Sequence, residues 1–168
     1  MQIAILSFFH YFTDMFKKRE SVFEVEEGKL LSPKFDKEGL IPVTTSDSSS
    51  GNLLMHGYMN EEAFKKSIKT KMSHFWSRSR KKIWKKGETS GFFQNIVKIQ
   101  IDDDQDCIII FVTLSGTKAS CHVGYKSCFY RELEKKDEEF STNLVFNEDK
   151  KVFDPDKVYK GLENPTKL

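Results

Sequence analysis

Four aspartates fall within five residues, at Asp102, Asp103, Asp104 and Asp106. Carboxylates this close repel one another, which pushes their pKa values up. A hard divalent cation removes the conflict, and Mg2+ commonly takes few carboxylates together with water and substrate phosphate. On an extended backbone Asp102, Asp104 and Asp106 face one side and Asp103 the other. A solvated acidic turn is the plainer reading of the same residues. Cys121 and Cys128 form a second group, with His122 beside the first. Thiolates with imidazole suit Zn2+, and Cys107 would supply a third thiolate. Three protein ligands and one open position describe a catalytic zinc rather than a structural one. Against this, the spacing is not that of a CxxC knuckle, and three small buried hydrophobes would look the same.

A third group runs from His74 to Gly91. It holds Arg78, Arg80, Lys81, Lys82, Lys85 and Lys86, with Trp76 and Trp84 among them. Arginine grips phosphate in a fork and tryptophan stacks on bases. Glu88, Thr89 and Ser90 lie in the following glycine-bounded stretch, where hydroxyls and close backbone N–H groups suit phosphate. A solvated basic strand is the bland alternative, and basic-plus-aromatic composition also suits single-stranded nucleic acid. His74 and His122 lie inside these dense motifs and are open to a proton-transfer, ligand or structural role. His56 reads as a core or interface histidine, and His10 as uninvolved.

Those groups need elements to hold them. Residues 39–45 read as a strand with Pro42 at an edge position. The cluster at 47–52 reads as a turn and 53–58 as the returning strand of a hairpin. Asn60 is a helix N-cap, Glu61 and Glu62 suit the positive end of the dipole, and Phe64 with Ile68 gives a helix at about 60–70 its core face. Short strands follow at 74–79 and 82–84, then a loop at 87–91. From 92 to 102 the pattern alternates, with Val97, Ile99 and Ile101 on one side and Lys98 and Gln100 on the other. Residues 107–114 are apolar on both faces and predict a buried central strand.

The chain has 168 residues, which favours one domain able to bury a core without disulfides. Its 31% charged and 38% hydrophobic content argues against global disorder. A mean hydropathy of −0.52 and the lack of any run of about 18 apolar residues exclude an apolar membrane-spanning helix. A net charge of only +2 means that any basic site is local. The three cysteines read as reduced cytosolic thiols. Residues 1–16 are rich in apolar and aromatic side chains, but lack the basic start and cleavage site of a signal peptide.

In order along the chain, GLIPV, LLMHGYMNEEAF, HFWSRSRKKIWKKGETSG, DDDQD and CHVGYKSCFYR resemble the phosphoribosyl-AMP cyclohydrolase family of histidine biosynthesis. That resemblance implies a hydrolase that opens the adenine ring at N1–C6. It also implies a β-rich α+β fold with antiparallel strands and few helices, in an intertwined homodimer. Zn2+, one per subunit at a site shared between subunits, and Mg2+ are its implied cofactors. Magnesium carries over onto Asp102, Asp104 and Asp106, and two zinc thiolates onto Cys121 and Cys128. The family's third zinc cysteine falls at Asp103 here. Either Asp103 ligates through oxygen, or Cys107, four residues on and on the same side of an extended strand, moves in; the softer ligand set favours Cys107. His122 is the first choice for proton shuttling and His74 the second. Trp76, Arg78, Arg80, Lys85 and Lys86, with Glu88, Thr89 and Ser90, are the implied substrate cradle.

The chain departs from the family at Val123, where a threonine is usual, and at Tyr125, where arginine is common. The stretch after Arg131 is too short for the fused pyrophosphohydrolase domain of many relatives. The expected organisation is an N-terminal extension over 1–30 and a single cyclohydrolase domain over 31–168, with a charged tail from about 132. The expected partner is a small phosphoribosyl nucleotide, with no membrane and no nucleic acid, in the cytoplasm. A zinc-dependent single-strand binder is the alternative, which the near-neutral charge disfavours.

Overall fold

The computed structural model describes residues 15–164 and 166. His10 and nearly all of the apolar start lie outside the described residues. After a short helix α1 (Val22–Glu26), the hairpin expected from the sequence forms from β1 (Leu40–Asp47) and β2 (Leu53–Asn60). Asp47 makes the turn: its Oδ1 accepts from the Ser49 and Ser50 amides at 3.1 and 2.9 Å and from both hydroxyls. Helix α2 (Glu61–Thr70) follows at once, capped by the Asn60 side chain, which accepts from the Ala63 amide at 2.9 Å. Glu61 and Glu62 sit at its positive end and pair with Lys65 and Lys66 one turn on.

The strands β3 (His74–Ser77) and β4 (Lys82–Lys85) form a separate antiparallel hairpin. They are followed by β5 (Gln94–Ile101) and β6 (Ile108–Leu114). The main sheet has the order β2-β1-β6-β5, and β1 with β6 is its parallel pair. Pro42 is therefore in an interior strand, not at an edge. The proline is tolerated because parallel pairing begins one residue later, at Val43 opposite Ile108.

One face of this sheet makes the core. Ile41, Val43, Leu54, Met59, Ile108, Ile110 and Val112 are buried there against Phe64 of α2 and Phe75 of β3. Burying each large apolar side chain contributes about 1.5–3 kcal/mol. The alternation expected over β5 breaks at a bulge between Ile96 and Lys98. Ile96, Ile99 and Ile101 pack on the core, whereas Val97 is 63% exposed. One inserted residue reverses the side-chain parity, and no periodic pattern announces it. β6 is central by pairing but buried on one face only: Ile109 is exposed, and Phe111 is covered by the Lys98 ammonium at 4.2 Å.

Beyond Arg131, where the sequence reads as a charged tail, the chain folds into the hairpin β7 (Arg131–Lys136) and β8 (Glu139–Phe146), then α3 (Pro155–Val158). Leu133, Phe140, Leu144 and Phe146 stand exposed on that hairpin.

The Asp47 turn yields a test. Its hydroxyl and amide bonds hold the carboxyl at about 2, below its ordinary value of 3.8. A depressed acid contributes stability that is present above the unfolded pKa and is lost as pH falls through the folded one. Asp47→Asn should therefore destabilise the chain at pH 7 by less than about 1 kcal/mol, given solvent screening. In denaturant titrations the gap between the two proteins should close between pH 4 and pH 2. A gap that ignores pH would show that the charge of Asp47 does nothing.

Candidate active site

The acidic cluster is the β5–β6 turn. Its backbone is curled rather than extended: Asp102 Oδ1 accepts from the amides of Asp106 and Cys107, both at 2.9 Å, and Gln105 adopts a left-handed φ of 58°. The curl still gathers Asp102, Asp104 and Asp106, whose oxygens all lie within 4.8 Å of one another. Asp103 is exposed at the turn. Lys34 Nζ bridges Asp104 and Asp106 at 3.0 and 2.9 Å, and its hydrogen bond holds the Asp104 carboxyl below the usual range. The donor set is all oxygen, with a cation already drawn to it, and so fits a hard divalent ion.

Residues with no chemical signature of their own in the sequence hold this turn in shape. Gln105 is buried and reaches back to the N-terminal segment: Oε1 accepts from the Ser32 amide at 2.7 Å, and Nε2 donates to the Val25 carbonyl at 2.9 Å. Arg19 donates to the carbonyls of Ser32 and Asp104 at 2.6 and 2.9 Å. A single polar residue inside an acidic run carries no sequence signal that it will be buried.

Cys121 and Cys128 lie side by side. Their sulfurs hydrogen-bond each other. As acceptor of that bond, and with the Lys86 ammonium near, Cys121 is brought down to about 6, while Cys128 is pushed up. Two neighbouring sulfurs, one of them shifted toward the thiolate, are a soft donor set that fits zinc. His122, beside Cys121, bonds its ring to Asn164 and keeps Nε2 buried with no partner among the described residues, but it does not complete a group of three donors with the two sulfurs. Burial also lowers the His122 pKa and favours the neutral ring.

Cys107 lies half-buried at the end of the acidic turn, its thiol pushed up by burial and by the Asp102 carboxylate. Among the described residues the three aspartates are the one such group of three donors, so neither Cys107 nor Asp103 joins Cys121 and Cys128 within one chain.

The basic segment divides. Lys86 is buried, donates to the Ser120 carbonyl at 2.6 Å and faces the thiols, and burial lowers its pKa. Arg78 stacks on the Tyr58 ring at 4.2 Å, and Lys85 lies 5.0 Å from the Phe93 ring. Arg80 is exposed and hydrogen-bonds Ser77, and Trp76 is half-buried in β3 opposite Ile83. Glu88 accepts from the Lys85 amide at 3.3 Å and Ser90 from the Phe92 amide at 3.3 Å, while Thr89 is exposed. Gly87 makes the loop possible: at φ 93° a Cβ would meet the Phe93 nitrogen at 2.6 Å. His74 shares a hydrogen bond of 2.8 Å between Nδ1 and the Met72 carbonyl and belongs to β3.

The fold is a strand-rich α+β one that carries two clusters of donor side chains, and comparison with known proteins says which family it serves. The family model for phosphoribosyl-AMP cyclohydrolase matches residues 55–130. A phosphoribosyl-AMP cyclohydrolase of Rhizobium rhizogenes is 45% identical over 137 residues, covering 82% of this chain and 91% of that protein. Its counterpart in Rhodopseudomonas palustris strain HaA2 is 46% identical over 81% of this chain and 90% of its own. That of Caulobacter vibrioides is 42% identical over 73% and 88%. The chain belongs to the phosphoribosyl-AMP cyclohydrolase family. Among the described residues no helix is long and apolar enough to cross a membrane.

Gln105→Ala should loosen the N-terminal segment from the acidic turn. Leaving its buried backbone partners unpaired costs about 1–3 kcal/mol, readable by denaturation. Amide exchange at Ser32 should accelerate in the same variant. Unchanged exchange at Ser32 would show that the segment is held by other contacts.

Proposed function

We propose that this chain hydrolyses the N1–C6 bond of the adenine ring of 1-(5-phosphoribosyl)-AMP, an early step of L-histidine biosynthesis. The observation that carries this is 45% identity over nine-tenths of a relative named for that activity. N1 bears a ribosyl group, so the ring is electron-poor and C6 is electrophilic. Water adds at C6, the C6–N1 bond breaks, a carboxamide forms at C6 and N1 takes up a proton.

The donor sets support two metals, zinc on Cys121 and Cys128 and magnesium on Asp102, Asp104 and Asp106. Bound there, zinc would lower the pKa of a water molecule to about 7, and magnesium would orient and neutralise substrate oxygens. His122, neutral and with Nε2 unpartnered, holds or moves the proton that N1 receives; His74 is the second choice. Arg78, Arg80 and Lys85 bind the two phosphates, helped by Thr89, Ser90 and the loop amides. Glu88 orders that loop through the Lys85 amide, and Trp76 offers a ring to stack on the base. Lys86 is too deeply set to reach bulk phosphate, and its charge instead favours thiolate at the cysteine pair.

The working form we infer is a homodimer that shares its zinc sites, in the cytoplasm. Its support is twofold. One chain brings two thiols together without a third donor, and it leaves Leu133, Phe140, Leu144 and Phe146 exposed on one hairpin.

Turnover is the first test. The purified chain with Zn2+ and Mg2+ should open the ring of phosphoribosyl-AMP, followed by absorbance. No turnover, alongside salt-sensitive binding of a single-stranded oligonucleotide, would replace the hydrolase reading with that of a binding module.

The third zinc ligand is the second test. Cys107→Ser should lower zinc stoichiometry and activity together, while Asp103→Asn should leave both near wild type. The reverse outcome would mean that two thiolates and a carboxylate hold the zinc. Two silent variants would remove both residues from the site.

A further inference from the structure

We propose that Glu148 is a positioning residue for the cysteine loop, holding Cys128 against Cys121 in the geometry that takes the metal. The proposal rests on the reading of that pair as metal thiolates. Glu148 lies outside residues 55–130, where the family model matches, in the stretch after β8.

Its carboxylate grips the peptide just before Cys128. Oε2 accepts from the Lys126 amide and Oε1 from the Ser127 amide, each at 2.8 Å. A charged acceptor on two successive N–H groups is a strong, directional contact. It fixes the backbone one residue from a sulfur that must meet its partner within a few tenths of an ångström.

The neighbours of Glu148 extend the grip. The Asn147 amide donates to the Tyr130 carbonyl at 3.0 Å, and its side chain donates to the Phe129 carbonyl at 3.1 Å. The Val152 amide donates to the Gly124 carbonyl at 2.8 Å. Gly124 lets the two segments pass close: at φ 107° a Cβ would meet the Phe153 carbonyl oxygen at 2.7 Å. From the other side the Cys128 amide donates to the Leu54 carbonyl at 2.7 Å, which ties the loop to β2. The core sheet thus fixes Cys128 on one side, and the segment at 147–153 braces the loop on the other. Glu148 is its only carboxylate that accepts two loop amides.

Zinc affinity, measured by competition with a chromophoric chelator, and Co2+ absorption from thiolate charge transfer are the readouts, on the full chain. Glu148→Ala should weaken both metals by about 10–100-fold, as loss of a supporting partner does. Its far-UV circular dichroism should not change. Glu148→Gln keeps one accepting oxygen and should fall between wild type and the alanine variant. It also carries the test if the alanine variant does not fold. If both variants bind zinc as tightly as wild type, or lose only thermal stability, Glu148 has no part in positioning. A wild-type chain that shows no thiolate band with Co2+ overturns the metal reading of the cysteine pair and this proposal with it.

Discussion

The parallel pairing of β1 with β6 governs the rest of the molecule. Two parallel neighbours cannot be joined by a tight turn and need a long crossover. Here β1 ends at Asp47 and β6 begins at Ile108. Everything between them must travel across the sheet and return: β2, α2, the β3–β4 hairpin, the Gly87–Gly91 loop and β5. That crossover carries the basic segment, and its last link, the β5–β6 turn, is the acidic loop. The core formed by Val43, Ile108 and Ile110 therefore sets where the charged groups lie, although none of these residues does chemistry.

The site itself separates donors by hardness. Three carboxylates sit in a turn whose own amides and a lysine offset part of their repulsion. Two sulfurs sit on a loop beside a buried ammonium that favours one thiolate. Oxygen donors near a surface cation and sulfur donors near a buried one are different electrostatic environments, and a hard and a soft ion would sort between them without any further selection. Lys86 shows how a residue changes meaning with depth. At the surface it would be one more phosphate-binding cation, but at 9% exposure it acts on its neighbours instead.

Local patterns in the sequence were enough for the hairpin of β1 and β2, the cap at Asn60, the two short strands and the glycine loop. Each depends on turn residues or on periodicity within a few positions. The features that were not legible depend on a neighbour far along the chain. The interior position of Pro42 follows from pairing with a strand more than sixty residues away. The bulge that turns Val97 outward depends on its match to β6. Strand parity predicts the grouping of Asp102, Asp104 and Asp106, yet it arises from a curl that parity does not describe. The meeting of Cys121 with Cys128 needed the resemblance, because their spacing alone is weak.

The stretch past Arg131 is the clearest case. Its composition, rich in Glu, Lys and Asp, is that of a solvated segment, and charge runs usually are solvated. Two things make it part of the fold. Tyr125, Tyr130 and Phe146 stack into a small aromatic cluster, with the tyrosine rings 4.0 Å apart, which joins β8 to the cysteine loop. Glu148 then spends its charge on main-chain amides rather than on solvent. A carboxylate that caps backbone 21 and 22 residues away leaves no periodicity and no motif; it is recognised only once the loop it holds has a shape. The Tyr125 ring fits the same logic: stacked on Tyr130 and packed near Phe146, it joins the cysteine loop to the tail.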